Sequence, residues 1–180
     1  NCWYNQLTNL DVSNNTALTY LECSLNQLTS LDVSNNTALT YLECHTQINY
    51  ILTTLDVSQN TALTYLNCNS NQLTNLDVSQ NTALTHLSCS DNQLTSLDVS
   101  QNTALTYLEC SQSNQLTSLD VRNGNNTNFT SFWAIINPNL NCISVDDTAY
   151  SNANWASYIH PQTSFSNDCA LFSSLTADFS

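Results

Sequence analysis

The sequence predicts a mainly β fold, a solenoid of stacked parallel strands with few or no long helices. Three observations predict it. A 21-residue unit repeats through the first two thirds of the chain, reading LTNLDVSNNTALTYLECSLNQ from Leu7, LTSLDVSNNTALTYLEC from Leu28, LTTLDVSQNTALTYLNCNSNQ from Leu52, LTNLDVSQNTALTHLSCSDNQ from Leu73 and LTSLDVSQNTALTYLECSQSNQ from Leu94, with a degraded sixth copy from Leu116. Fixed-period self-similarity marks an array in which each unit buries its apolar edge against its neighbours. Each unit holds two near-equal halves, LxxLxVxxN and LxxLxCxxN, whose apolar and polar residues alternate with the period of a strand. Apolar residues at helical spacing over ten or more positions are absent, as is any apolar run of 18 residues able to span a bilayer.

In the first copy, Leu7, Leu10, Val12 and Asn15 form one half, and Leu18, Leu21, Cys23 and Asn26 form the other. The last apolar slot of the second half holds Cys2, Cys23, Cys44, Cys68, Cys89 and Cys110, spaced 21, 21, 24, 21 and 21. Stacked parallel strands lie about 4.8 Å apart, so these thiols form an internal ladder and pack as small hydrophobes. Neighbours in one register aim their Cβ atoms side by side, which suits a disulfide poorly. A linear stack of one residue type does not converge on a tetrahedral metal. The cysteines are read as reduced core thiols, with no metal and no cofactor. The repeating asparagines (Asn15, Asn36, Asn60, Asn81, Asn102 and Asn5, Asn26, Asn71, Asn92, Asn114) are read as partners for backbone groups buried in the turns. Gly124 takes this slot in the sixth copy.

Outward positions supply the candidate surface. The third residue of LTYLEC gives Tyr20, Tyr41, Tyr65, His86 and Tyr107. The fifth gives Glu22, Glu43, Asn67, Ser88 and Glu109, and the residue after the cysteine gives Ser24, His45, Asn69, Ser90 and Ser111. An aromatic stripe beside hydrogen-bond acceptors suits a protein or carbohydrate ligand. The competing account is that aromatic residues favour strands and stack across them for stability. Tyr20, Tyr41, Tyr65, His86, Tyr107, Glu22, Glu43 and Glu109 are the candidate ligand-binding residues. The other half stacks Asp11, Asp32, Asp56, Asp77, Asp98 and Asp120, which should repel unless hydrogen-bonded by Ser13 and its equivalents or by backbone amides, or bridged by calcium.

These motifs resemble the leucine-rich-repeat family, in its bacterial subclass of 21-residue nested units. Internalin-J-type repeats of surface adhesins and repeat proteins of Bacteroidetes are similar in this way. The resemblance covers roughly residues 1–145. It implies a right-handed solenoid whose concave sheet meets ligands, a similar cysteine ladder, and an extracellular or cell-surface bacterial location.

Beyond the sixth copy the array continues in disguise. Phe129, Phe132, Ala134 and Asn137 fill LxxLxCxxN, and Leu140, Ile143 and Val145 fill LxxLxV. Cys142 then precedes an inward residue and faces outward, where a secreted chain's thiol wants a partner. Cys169 is the other cysteine off the ladder, so a Cys142–Cys169 disulfide is expected to staple a C-terminal cap. The segment from Asn137 to Cys169 resembles the terminator of flavobacterial repeat proteins. Trp155, Tyr158 and Ile159 are expected to lay one apolar face over the end of the core from a short helix. The domain reading is a solenoid over 1–145 that starts inside a repeat without an N-terminal cap, a cap over 146–170, and a linker over 171–180. An insertion, HTQINYI from His45, is read as a surface loop carrying Ile48 and Tyr50. Asp147-Thr148-Ala149 resembles a Bacteroidetes O-glycosylation site and makes Thr148 a candidate.

The chain has 14 acidic residues, one arginine (Arg122) and no lysine, giving a net charge of −13. Nucleic acid is excluded, since phosphate binding needs a basic patch. Anionic membrane surfaces are disfavoured, and membrane insertion is not expected. His45, His86 and His160 are scattered, no GxSxG, HExxH or P-loop motif occurs, and no catalytic residue is assigned. The reading is a non-catalytic extracellular recognition or adhesion module that presents the tyrosine sheet to a protein or glycan. The alternative is a structural subunit or spacer of a larger surface assembly, with a partner chain on the uncapped N-terminal edge.

Overall fold

A computed structural model describes residues 1–45, 52–112 and 115–170. Ile48, Tyr50, Asn114 and the expected linker 171–180 lie outside the described residues. In chain order the strands are β1 (Tyr20–Glu22), β2 (Tyr41–Glu43), β3 (Tyr65–Asn67), β4 (His86–Ser88), β5 (Ser96–Asp98), β6 (Tyr107–Glu109), β7 (Ser118–Asp120), β8 (Ser131–Trp133), β9 (Cys142–Ser144) and β10 (Ser164–Ser166). One short helix, α1 (Thr148–Trp155), lies between β9 and β10. The strands form two parallel sheets, β1-β2-β3-β4-β6-β8 and β5-β7-β9-β10. Identical slots pair in register, Tyr20 with Tyr41, Leu21 with Leu42 and Glu22 with Glu43. The chain is thus a parallel β-solenoid, as the repeats predict.

The two sheets differ. The tyrosine sheet is bonded from β1 through β8, and the threonines before β2, β3, β4, β6 and β8 each add a side-chain rung, Thr64 Oγ1 donating to Thr40 O at 3.0 Å. The LDV halves of the first four copies were expected to be strand-like, and they form no paired strands. Pairing starts only at β5 with β7. Open grooves separate these earlier coils, one of about 520 Å³ lined by Leu31, Asp32, Thr53 and Asp56. The aspartates at the groove are exposed, so water serves the unpaired backbone there.

The core is a column of repeat leucines. Leu39, Leu63, Leu66, Leu84, Leu87, Leu105 and Leu108 are fully buried. Val33, Val57, Val78, Val99 and Val121 join them from the LDV side. Cys23, Cys44, Cys68, Cys89 and Cys110 are buried and reduced, as the alternation requires, and Cys2 in the first coil is partly buried. Burial pushes the thiols of Cys23 and Cys110 up to about 12 and holds those of Cys44, Cys68 and Cys89 well above the ordinary thiol range.

Asparagines close the turns. Asn81 Nδ2 donates to Val57 O and Asn60 O, both at 2.9 Å, and Asn102 repeats the pattern on Val78 O and Asn81 O. In the other column, Asn92 Nδ2 donates to Cys68 O and Cys89 O at 3.1 Å. Each amide therefore ties two successive coils. In the first column the amide works as a donor only: the Oδ1 atoms of Asn36, Asn60, Asn81 and Asn102 are buried without a partner. Asn5 and Asn15, in the first coil, are exposed rather than buried. The sixth copy corrects the sequence reading. Asn123, not Gly124, fills the slot, its Nδ2 donating to Asn102 O at 3.1 Å. The turn tightens by one residue, with Asn123 N on Val121 O, and Gly124 absorbs the change at φ 73°.

The C-terminal segment extends both sheets. Ile159 bridges Ala134, and β10 pairs with β9. Asp147 caps α1, accepting from Ala149 N and Tyr150 N. Trp155 stacks on Phe132 with ring centroids 4.3 Å apart and covers the core end together with Ile159 and Phe165. Tyr158 does not join them. Its backbone carbonyl bonds Ala134 N, which turns its ring to the outer face beside Trp133. Cys142 and Cys169 form the expected disulfide across 27 residues.

Three expectations follow. Asn81→Ala removes the second donor from two buried carbonyls, Val57 O and Asn60 O, which keep their turn amides, and should cost about 1–3 kcal/mol in urea unfolding, against under about 1 for exposed Asn15→Ala. At pH 8, a thiol reagent should label Cys2 in the native chain and the other five ladder cysteines only after denaturation. Cys169→Ser releases a loop whose closure is worth about 3 kcal/mol, and limited proteolysis should find the residues after Val145 cut first.

Candidate functional site

The outer face of the tyrosine sheet is set by the strand alternation that buries Leu21 and its equivalents. Tyr20, Tyr41, Tyr65, His86 and Tyr107 form one continuous stack, with successive centroids 4.4, 4.3, 4.3 and 3.9 Å apart and ring planes within 14°. The faces of Tyr41, Tyr65 and His86 are covered by their neighbours. What this row offers a partner is ring edges and hydroxyl tips. Stacking for stability and display for contact are therefore the same arrangement, each ring pair adding about 0.5–1.5 kcal/mol.

The tips are tied to the carboxylate row. Tyr41 Oη donates to Glu43 at 2.6 Å, Tyr20 to Glu22 at 3.3 Å and Tyr107 to Glu109 at 3.4 Å. Burial, then the Glu43 hydrogen bond, push the Tyr41 phenol well up. Glu43 also accepts from Asn67 at 3.1 Å and faces His45 at 3.4 Å, and Glu109 accepts from Ser88 at 2.7 Å. Burial holds His86 below its ordinary value, with Glu109 and Glu43 pulling the other way.

The structure brings together all eight candidate residues, Tyr20, Tyr41, Tyr65, His86, Tyr107, Glu22, Glu43 and Glu109. It corrects their flank. Ser24, Ser90 and Ser111 were expected to be exposed, and they are buried, as is Ser88. The next residue of each coil turns into the left-handed region: Leu25 at 57°, Ser70 at 54°, Asp91 at 59° and Gln112 at 57°. The chain folds over at that point and covers a short serine. Sequence reasoning also missed an apolar end to this face. Trp133 stands in register with Glu109, 40% exposed, and Ile135, Ile136 and Tyr158 beside it are 36, 47 and 37% exposed. The signal was present, because placing Phe132 and Ala134 inward puts Trp133 outward.

On the other sheet each aspartate bonds its own turn. Asp32 Oδ1 accepts from Ser34 N at 2.9 Å, and the equivalents repeat it. The serine contacts hold the carboxyls of Asp11, Asp32, Asp56 and Asp77 below their ordinary value. Arg122 chelates Asp120 through Nε and Nη2 and reaches Asn167 O. Among the described residues no group of three or more His, Cys, Asp or Glu side chains converges on a metal position. Among them, too, no helix is long and apolar enough to cross a membrane. Thr148, the glycosylation candidate, is the first residue of α1 and is half-buried.

The chain is a parallel solenoid of nested LxxLxV and LxxLxC units, closed by asparagine turns over a cysteine column. The family model described as leucine-rich repeats in two copies matches residues 82–132, and the chain carries these repeats. It is similar to the functional domain of InlJ from Listeria monocytogenes, which includes a cysteine ladder, at 40% identity and a TM-score of 0.62 over 82% of this chain and 35% of that one. An internalin, InlF, of the same organism (22% identity, TM-score 0.54, 76% of this chain and 45% of that one) shares the fold. So does a leucine-rich-repeat protein of Leptospira interrogans (23%, 0.56, 89% and 40%). The chain spans under half the length of each of these. No curated protein matches it.

Proposed function

We propose that the chain is a non-catalytic recognition module of a bacterial surface or secreted protein, and that the outer face of the tyrosine sheet binds a protein partner. The carrying observation is the Tyr–Glu row: three carboxylates, Glu22, Glu43 and Glu109, held by hydrogen bonds at fixed spacing on a face with no lysine or arginine of its own. Such a row is preorganised, because the stack and the sheet already fix the rotamers a partner would otherwise have to order. The similarity to InlJ, to an internalin and to a bacterial leucine-rich-repeat protein supports a surface or secreted setting. A second reading, a subunit held in a larger assembly, is favoured by Trp3 and Tyr4, which are 49 and 68% exposed in the first coil.

Replacing Tyr41, Tyr65 and Tyr107 together by Ser tests the first reading. Binding to proteins captured on a bacterial and host surface-protein array should weaken at least about tenfold, while far-UV circular dichroism keeps its strand signal. Unchanged binding by the triple variant would reject the stripe as the contact. Glycan-array binding lost in the same variant would replace the protein partner by a carbohydrate.

A further inference from the structure

The last coil of the tyrosine sheet ends in an apolar cluster, and among the described residues the first coil alone carries exposed large apolar side chains, Trp3 and Tyr4, in matching slots. The fifth-position row runs Glu22, Glu43, Asn67, Ser88, Glu109 and then changes to Trp133, in register with Glu109, and Tyr158, whose ring meets Trp133 edge-on at 4.7 Å. The row after the cysteine changes in the same coil, from buried Ser90 and Ser111 to exposed Ile135. The left-handed slot, held by Tyr4 and Leu25 in the first coils and by Ser70, Asp91 and Gln112 in the later ones, is β-branched at Ile136, φ 60°. A β-branched residue is a true outlier in that region. The coil sets the left-handed backbone at this slot, and Ile136 adds to it a β-branched side chain 47% exposed to water, an unfavourable choice of residue that the turn itself does not require.

We infer that Trp133, Tyr158, Ile135 and Ile136 form the anchoring platform for a protein segment that places an apolar side chain on them and a lysine or arginine against Glu109. The inference rests on the recognition reading and deepens it by naming the hot spot and the partner's chemistry. Exposed Trp and Tyr supply large rigid contact area and dominate measured interface energetics. The Glu109 carboxylate adjoins the platform, since β6 pairs with β8 and sets Glu109 opposite Trp133, and Tyr107 already orients it. The one arginine of the chain is engaged with Asp120 on the other sheet. A cation set between Glu109 and the Trp133 ring gains from both the ion pair and the ring face. A second copy of this chain is a poor occupant, since each copy carries a net charge of −13.

The test uses two fluorescein-labelled hexapeptides, one alternating Arg and Leu and one alternating Glu and Leu, with cellohexaose as the carbohydrate probe. Fluorescence anisotropy at about 0.15 M salt should show binding of the Arg–Leu peptide and none of the other two. Trp133→Ser should weaken it about tenfold and Glu109→Gln about threefold. Ile136→Asn should weaken it about threefold while raising Tm by about 2–4 °C, because asparagine accepts the left-handed conformation. A purely structural role for Ile136 would not move stability and binding in opposite directions. Full affinity in the Trp133→Ser and Ile136→Asn variants would overturn the platform. So would cellohexaose binding that Trp133→Ser abolishes, or concentration-dependent dimers of the free chain. Peptide binding lost in the Tyr41, Tyr65, Tyr107 variant but kept in the platform variants would sink this inference and leave the recognition reading standing.

Discussion

The asparagine amides that tie each turn to the turn below are the constraint on which the rest depends. A coil this small must reverse direction twice within 21 residues, and its turn carbonyls point inward where water does not reach. Asn60, Asn81 and Asn102 answer with one donor group shared between two coils. A shorter residue does not reach both carbonyls, and a charged one is not tolerated in the interior. Because each amide reports the position of the coil beneath it, the register of one coil fixes that of the next. The leucine column, the thiol column and the tyrosine stack are consequences of that register rather than separate inventions.

Fixed register has a cost: identical side chains meet identical side chains. For leucine, cysteine and tyrosine this is favourable. For carboxylates it is not, and the two sheets handle it differently. On the LDV side the early coils stand apart, grooves open to solvent, five aspartates are each satisfied by their own Ser amide, and the sixth, Asp120, is held by Arg122, so six can be stacked with little mutual repulsion. On the tyrosine side the coils are bonded throughout. There the carboxylate row is broken by Asn67 and Ser88, and both of these donate to a neighbouring glutamate. The sequence variation at the fifth position therefore has an electrostatic reason before it has a functional one.

How much of this is legible in sequence depends on whether a residue obeys the repeat. The inward leucines, the reduced thiols, the stacked tyrosines and the Cys142–Cys169 bridge follow from slot counting, because alternation alone decides which way each side chain points. Slot counting fails where backbone geometry intervenes. It assigned Gly124 to a buried turn that Asn123 occupies, since it could not show the turn tightening by one residue. It exposed Ser24, Ser90 and Ser111, since the left-handed residue that folds over them varies from Leu to Gln and carries no glycine to announce it. It sent Tyr158 to the core end with Trp155, since the break between α1 and the Ile159 bridge resets the facing of the chain.

A regular array presents the same surface at every step, and a uniform surface does not distinguish one partner, or one position along itself, from another. Discrimination has to come from the steps that differ. Along the tyrosine sheet these are His86, an imidazole where its neighbours carry a phenol, the Asn67–Ser88 interruption of the carboxylates, and the turn to tryptophan and isoleucine at Trp133 and Ile136. None of them is demanded by packing: leucines occupy the same buried slots behind His86 as behind Tyr65. The polar departures lie mid-sheet on β3 and β4, and the apolar one lies at the disulfide-stapled end, where β8 and Ile159 hold the last coil against the sheet. An anchor at that end, as proposed above, would give a partner a single starting register, with the carboxylates spaced back along the stack left to discriminate along the rest of its length.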